Sequence, residues 1–115
     1  MQYMLLIYGS DDAWASQSPD DMAREMGAYM AYSEALAKAG KMVRGDELQP
    51  SVTARSVTVR GGAEHVADGP YVDTKEQLGG YYLIEADSEE DAIAWAKKCP
   101  GARHGGVEVR PVVMR

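Results

Sequence analysis

The sequence has no phenylalanine, one cysteine and two histidines. A lone cysteine, Cys99, cannot close an internal disulfide, so packing must hold the fold and a reducing cytoplasm is the default compartment. His65 and His104 have no metal-ligand spacing to each other or to Cys99, so no metal site is expected. Neither Gly79-Gly80 nor Gly105-Gly106 is followed by Lys-Ser/Thr or by a helix start, as a phosphate loop requires. No cofactor is expected. Positive charge is also scarce: 12 Lys and Arg stand against 18 Asp and Glu, a net charge of −6. Nucleic acid and anionic lipid both need a basic face, so neither is an expected partner. Met1 to Tyr8 is apolar but far too short to span a bilayer, and it lacks the basic start and cleavage site of a signal peptide.

A chain of 115 residues with 45% hydrophobic content suits one domain over residues 1–115 with one modest core. Seven Tyr and seven Met supply much of its bulk. Tyr3-Met4-Leu5-Leu6-Ile7-Tyr8 reads as a strand apolar on both faces. Ser18-Pro19-Asp20-Asp21 is a strong helix start, combining a cap, Pro at the first helical position and two acids at the positive end. Met22, Met26, Tyr29, Met30, Ser33, Leu36 and Ala37 then share one helical face, and Gly40 stops the helix. Lys41 to Leu48 reads as a strand. Residues 54–60 alternate, Gly61-Gly62 turns the chain, and 63–67 return, which is a hairpin pattern. Tyr81 to Ala86 is a second strand apolar on both faces. Ser88-Glu89-Glu90-Asp91 opens a helix that runs to Lys97-Lys98 and stops at Pro100. Val107 to Val113 is the last strand.

Without the hairpin this order is βαββαβ, an α+β ferredoxin-like plait with an inserted β-hairpin. Such a plait carries both helices on one sheet face and leaves the other bare. Two strands apolar on both faces predict that a second copy covers the bare side.

The stretch from Asp68 to Tyr82 is richest in chemistry. It combines a Gly-Pro bend, several ionisable side chains and two adjacent glycines, and it exceeds the length that joining two strands requires. Asp68-Gly69-Pro70-Tyr71 resembles the DGPF signature, with Tyr for Phe. Thr74-Lys75-Glu76-Gln77-Leu78-Gly79-Gly80-Tyr81 resembles the segment that follows it in those proteins. Glu47-Leu48-Gln49-Pro50-Ser51, Asp91 to Ala96 and Val107 to Pro111 are similar to further family segments. The chain is identified on these residues as a member of the YCII-related family, DGPF branch. The resemblance implies a dimeric α/β barrel, usually bacterial and cytoplasmic, whose genes often lie beside extracytoplasmic-function sigma factors. One enzymatic relative, a dehydrochlorinase, uses a His in the first helix and an Asp just before the proline that ends the second. Tyr29 or Met30 and Cys99 stand at those positions here.

Two functions remain open. One is a small-ligand binding or regulatory protein with a cleft near the Asp68–Tyr71 loop. The other is a cofactor-independent acid–base enzyme acting on a small aromatic substrate. An oligomeric scaffold is a third option. Asp68 can serve as acid or base, or can instead cap its turn through backbone N–H groups. His104 can act as acid or base near neutral pH. Arg44, Asp68, Tyr71, Lys75, Glu76, Tyr81 and Tyr82 are the candidate ligand-binding residues. Tyr81 and Tyr82 point to opposite sheet faces, so one of them packs toward the helices.

Overall fold

The computed structural model describes all 115 residues, 1–115. Strand β1 (Gln2–Ser10) leads through a short helix α1 (Asp11–Ala15) to a long helix α2 (Pro19–Lys38). Strand β2 (Met42–Glu47) follows, then β3 (Arg55–Arg60), β4 (Ala63–Asp68) and β5 (Glu76–Glu85). Helix α3 (Glu89–Lys98), a 3₁₀ turn at Pro100–Arg103 and strand β6 (Gly106–Pro111) complete the chain. Four strands form one sheet in the order β2-β5-β1-β6, and every adjacent pair is antiparallel. The architecture is mixed α+β. Its strand order and one-sided helices fit a ferredoxin-like fold.

Local chemistry explains the elements. Ser18 accepts a hydrogen bond from the Asp21 amide at 3.1 Å, with Pro19 beside it, and so starts α2. Ser88 caps α3 in the same way through the Asp91 amide. The Asp91 carboxylate reaches back to the Asp87 amide and meets Lys41 Nζ at 2.7 Å, which ties α3 to the start of β2. Gly61 and Gly62 both sit at positive φ between β3 and β4. That hairpin is a sheet of its own, and Val57, Val59 and Val66 are exposed on it.

Two expectations change. Strand β5 begins at Glu76, not Tyr81, so the loop after β4 is only 69–75. Gly79-Gly80 lies inside this strand, where glycine is usually depleted, and the register slips there opposite Ile7 and Tyr8. A bulge therefore reads in sequence as a loop. Helix α2 is also rotated from its apolar stripe. Tyr32 and Leu36 are buried, whereas Met22, Met26 and Met30 are all more than half exposed. The tyrosines win because they bury more area and satisfy their hydroxyls. Tyr32 donates to the Trp95 carbonyl at 2.7 Å, and its ring meets Tyr82 edge-on at 5.2 Å.

The core gathers Tyr3, Leu5 and Ile7 of β1, Tyr82 and Ile84 of β5, Leu36 of α2, Ala92 and Ala96 of α3, and Cys99. All lie on the helix side of the sheet. Leu36→Ala should therefore cost about 2–5 kcal/mol in urea unfolding, whereas Met26→Ala should change stability by less than about 0.5 kcal/mol. Equal losses would put the methionine stripe back in the core.

Candidate functional site

The side chains of β1 alternate between half-buried and buried along its whole length. Its C-terminal end, Ile7 to Ser10, forms the floor of a cavity of about 200 Å³. Ala13 and Trp14 of α1 and nearby Gln17 also line it. Glu25 and Tyr29 of α2 and Gly101, His104 and Gly105 complete the lining. His104 directly follows the 3₁₀ turn at Pro100–Arg103 and is itself exposed. Pro100 and Gly101 are buried, and a Cβ at Gly105 would lie 2.0 Å from the Tyr8 carbonyl oxygen. Glycine there lets the turn rest on the β1 backbone, which delivers His104 to the cavity.

His104 Nε2 lies 3.6 Å from Glu25 Oε2. The imidazole and the carboxylate line the cavity together with the side chains of Ser10 and Gln17. Burial pushes the Tyr29 phenol well above its ordinary value, and the neighbouring Cys99 and Glu25 add to the shift. Burial likewise pushes the Cys99 thiol up. Both groups therefore stay protonated at neutral pH.

A second, open hollow of about 760 Å³ adjoins the cavity and shares Tyr8, Ser10 and His104 with it. Thr74, Lys75, Glu76 and Glu108 complete its rim. The fold thus brings His104, Lys75 and Glu76 together. It does not bring the other candidates to them. Asp68 is exposed on β4, and its carboxylate lies 3.2 Å from Arg55 Nε across the hairpin. No backbone N–H reaches that carboxylate. The turn is held instead by the Gly69 amide on the Ala54 carbonyl, at 2.8 Å, and by the Ser56 hydroxyl on the Gly69 carbonyl, at 2.8 Å. Asp68 therefore does not cap its turn. Tyr71 is exposed outside both hollows. Tyr81 and Tyr82 do face opposite ways. Tyr82 is a core residue whose hydroxyl pairs with Ser33 Oγ at 2.8 Å, so it is not placed to hold a ligand. Tyr81 lies on the open sheet face and donates to Asp46 Oδ2 at 2.6 Å, where Arg44 also binds at 2.8 Å.

Trp14, Glu25, Ser10 and Gln17 were not legible as site residues. Ser10-Asp11-Asp12 carries a capping signal, and Ser10 does accept from the Ala13 amide at 3.2 Å, but the helix it starts is too short to show periodicity. Glu25 had one signal, its place one turn before Tyr29 on the helix face that turns inward.

The YCII-related domain matches residues 1–114. The chain belongs to that family. An uncharacterized protein of Rhizobium meliloti (strain 1021) is 32% identical over 116 residues, spanning 99% of this chain and 94% of that protein. A solved structure of 5-chloro-2-hydroxyhydroquinone dehydrochlorinase from Burkholderia phenoliruptrix AC1100, in complex with 2,5-dihydroxybenzoquinone, is similar in fold. The TM-score is 0.58, with 98% of this chain and 94% of that one covered. At 15% identity the likeness to that structure is one of fold alone. In this YCII-related chain no helix is long and apolar enough to cross a membrane.

On the open face, the Tyr81 hydroxyl and then Arg44 hold the Asp46 carboxyl below its ordinary range. A lowered folded-state value means that the contribution is present above the unfolded pKa and fades as pH falls through the folded one. Tyr81→Phe should raise the Asp46 midpoint toward the ordinary carboxylate range, read by carboxyl-carbon NMR. An unmoved midpoint would show that the phenol contributes nothing.

Proposed function

We propose that this YCII-related protein binds a small ligand in the cavity between β1, α2 and the Pro100–Gly105 turn, reached from the open hollow beside Lys75 and Glu76. The observation that carries this reading is the cavity itself. It is concave, lined by Trp14 and Tyr29, and carries the polar side chains of Ser10, Gln17, Glu25 and His104. Aromatic lining with several convergent polar groups is a feature of small-molecule sites. Its volume, below the roughly 300–1,000 Å³ of drug-sized pockets, suits a small molecule. The DGPY segment enters as the scaffold that leads into Lys75 and Glu76, and it supports placing the chain in the DGPF branch. A soluble, cytoplasmic setting fits the same reading.

One observation favours a catalytic second reading. The Glu25–His104 pair places an acid–base group at the cavity wall, with a carboxylate 3.6 Å from it. Under this reading His104 moves a proton on the bound ligand and Glu25 stabilises the imidazolium.

Both readings predict a thermal shift. A planar phenol or quinone such as 2,5-dihydroxybenzoquinone, the ligand of the structural neighbour, should raise Tm, because a ligand of the native state alone must stabilise it. Gln17→Ala and Ser10→Ala should shrink that shift. If no phenol or quinone in a broad panel moves Tm, the binding reading fails. If turnover is found, His104→Gln should lower kcat by about 10²–10⁴-fold and leave the ligand-induced shift in place.

The dimer also belongs to this proposal. The chain exposes 7979 Å², whereas a compact 12.5 kDa monomer exposes about 6,200 Å². The slab measures 47 × 44 × 18 Å, with a radius of gyration of 15.9 Å against about 13 Å for a compact chain of this length. The β3–β4 hairpin, exposed almost throughout, carries part of this excess, and a second copy laid on the open sheet face would cover the half-exposed Met4, Leu6, Tyr8, Tyr81 and Leu83. Sedimentation at micromolar concentration should give twice the chain mass, and Leu83→Glu should give the monomer. A wild-type monomer would end the dimer proposal.

A further inference from the structure

Trp14 stands on a part of the sheet that has no side chains. A Cβ built at Gly9 of β1 would lie 2.5 Å from Trp14 Cζ2, and one at Gly79 of β5 would lie 2.4 Å from its Cη2. Real Cβ contacts essentially never fall below 3.0 Å, and the atoms met here belong to a rigid ring. Gly9 pairs with Gln77 in the β1–β5 ladder, next to the bulge at Ile7 and Tyr8, so the two glycines are near neighbours. The six-membered ring of the indole therefore rests directly on backbone, in a slot one side chain deep.

The helix carrying Trp14 is held at its start. Ser10 caps it, and the Asp11 carboxylate accepts from the Ser51 amide at 3.2 Å and from the Ser51 hydroxyl. Five residues of helix have no stability of their own, so these bonds and the glycine slot decide where the indole sits. The same indole lines the cavity. Its ring is rigid, so the wall cannot yield as a methionine would.

We propose that Trp14, seated in the Gly9–Gly79 slot, sets the length of the cavity and selects single-ring ligands over fused-ring ones. The inference rests on the small-ligand reading of that cavity. Removing the indole joins the empty slot to the cavity and adds roughly the room of one ring. Adding a methyl group at Gly79 displaces the indole and moves the wall.

The test measures affinity by calorimetry for two probes, 2,5-dihydroxybenzoquinone with one ring and 2-hydroxy-1,4-naphthoquinone with two. Wild type should take the first and reject the second. Trp14→Ala should shift the ratio toward the two-ring probe by about tenfold or more, the scale on which pocket shape discriminates. Gly79→Ala should weaken the one-ring probe by a similar factor in the wild-type background and should have no further effect on Trp14→Ala, because the clash is already gone. A loss of the same size in both backgrounds would show that Gly79 acts through the backbone and would overturn the proposal. So would an unchanged probe ratio in Trp14→Ala. A ligand-free readout runs in parallel. In Trp95→Phe protein Trp14 is the only indole, since the chain has two, and Gly79→Ala should increase its quenching by acrylamide. Unchanged quenching would also overturn the proposal. If neither quinone binds wild type or Trp14→Ala, the cavity reading fails and the inference falls with it. Wild-type binding with an unshifted probe ratio sinks the inference alone.

Discussion

Strand β1 is hydrogen-bonded along both edges, to β5 and to β6, and the rest of the molecule depends on its alternation. Tyr3, Leu5 and Ile7 turn to the helices and nucleate the core, while Met4, Leu6 and Tyr8 turn to the open face. One extended segment thus supplies the hydrophobic seat of α2 and α3, the floor of the cavity and the apolar centre of the bare face. Its position in the middle of the sheet forbids slippage, because a shift of one residue would exchange these two sets completely.

Close backbone approach then builds the site from the end of that strand. Gly105 rests on the Tyr8 carbonyl, and a Cβ at Gly101 would meet both Ile7 and the Tyr29 hydroxyl at 2.6 Å. The turn after α3 is thereby pressed onto β1 and α2, and His104 follows as the first side chain free to reach the cavity. Glu25 arrives from α2, so the pair joins residues about eighty positions apart. Ion pairs flank the open face, Arg44 with Asp46 on β2 and Glu108 with Arg110 on β6, leaving the apolar residues at its centre.

The misreadings of the sequence have physical causes. Methionine and tyrosine both count as apolar in a helical stripe, so the face through Met22, Met26, Tyr29, Met30 and Leu36 passes over Tyr32. Only the packed state shows that Tyr32 finds the Trp95 carbonyl and the Tyr82 ring, and a methionine cannot use either as well. Gly79-Gly80 read as loop because glycine weakens strands in isolation. In the fold Trp14 covers Gly79, and the lost side-chain packing is replaced by an indole. Asp68 drew attention because Asp-Gly is common turn chemistry, yet its nearest partner proved to be Arg55 across the hairpin.

What the sequence by itself determined was local. Ser18-Pro19 and Ser88 started the helices, Gly40 and Pro100 ended them, Gly61-Gly62 turned the hairpin, and the doubly apolar runs of β1 and β5 marked a sheet with two faces to cover. These features act over a few residues, so short-range chemistry suffices to read them. His104, Lys75 and Glu76 were legible as polar groups of interest, though not as neighbours. Tertiary structure alone decided that His104 meets Glu25, that Tyr82 is core while Tyr81 is not, and that Trp14 walls a cavity. Each of these depends on which surfaces approach within a few ångströms, and that distance is set by packing between segments far apart in the chain.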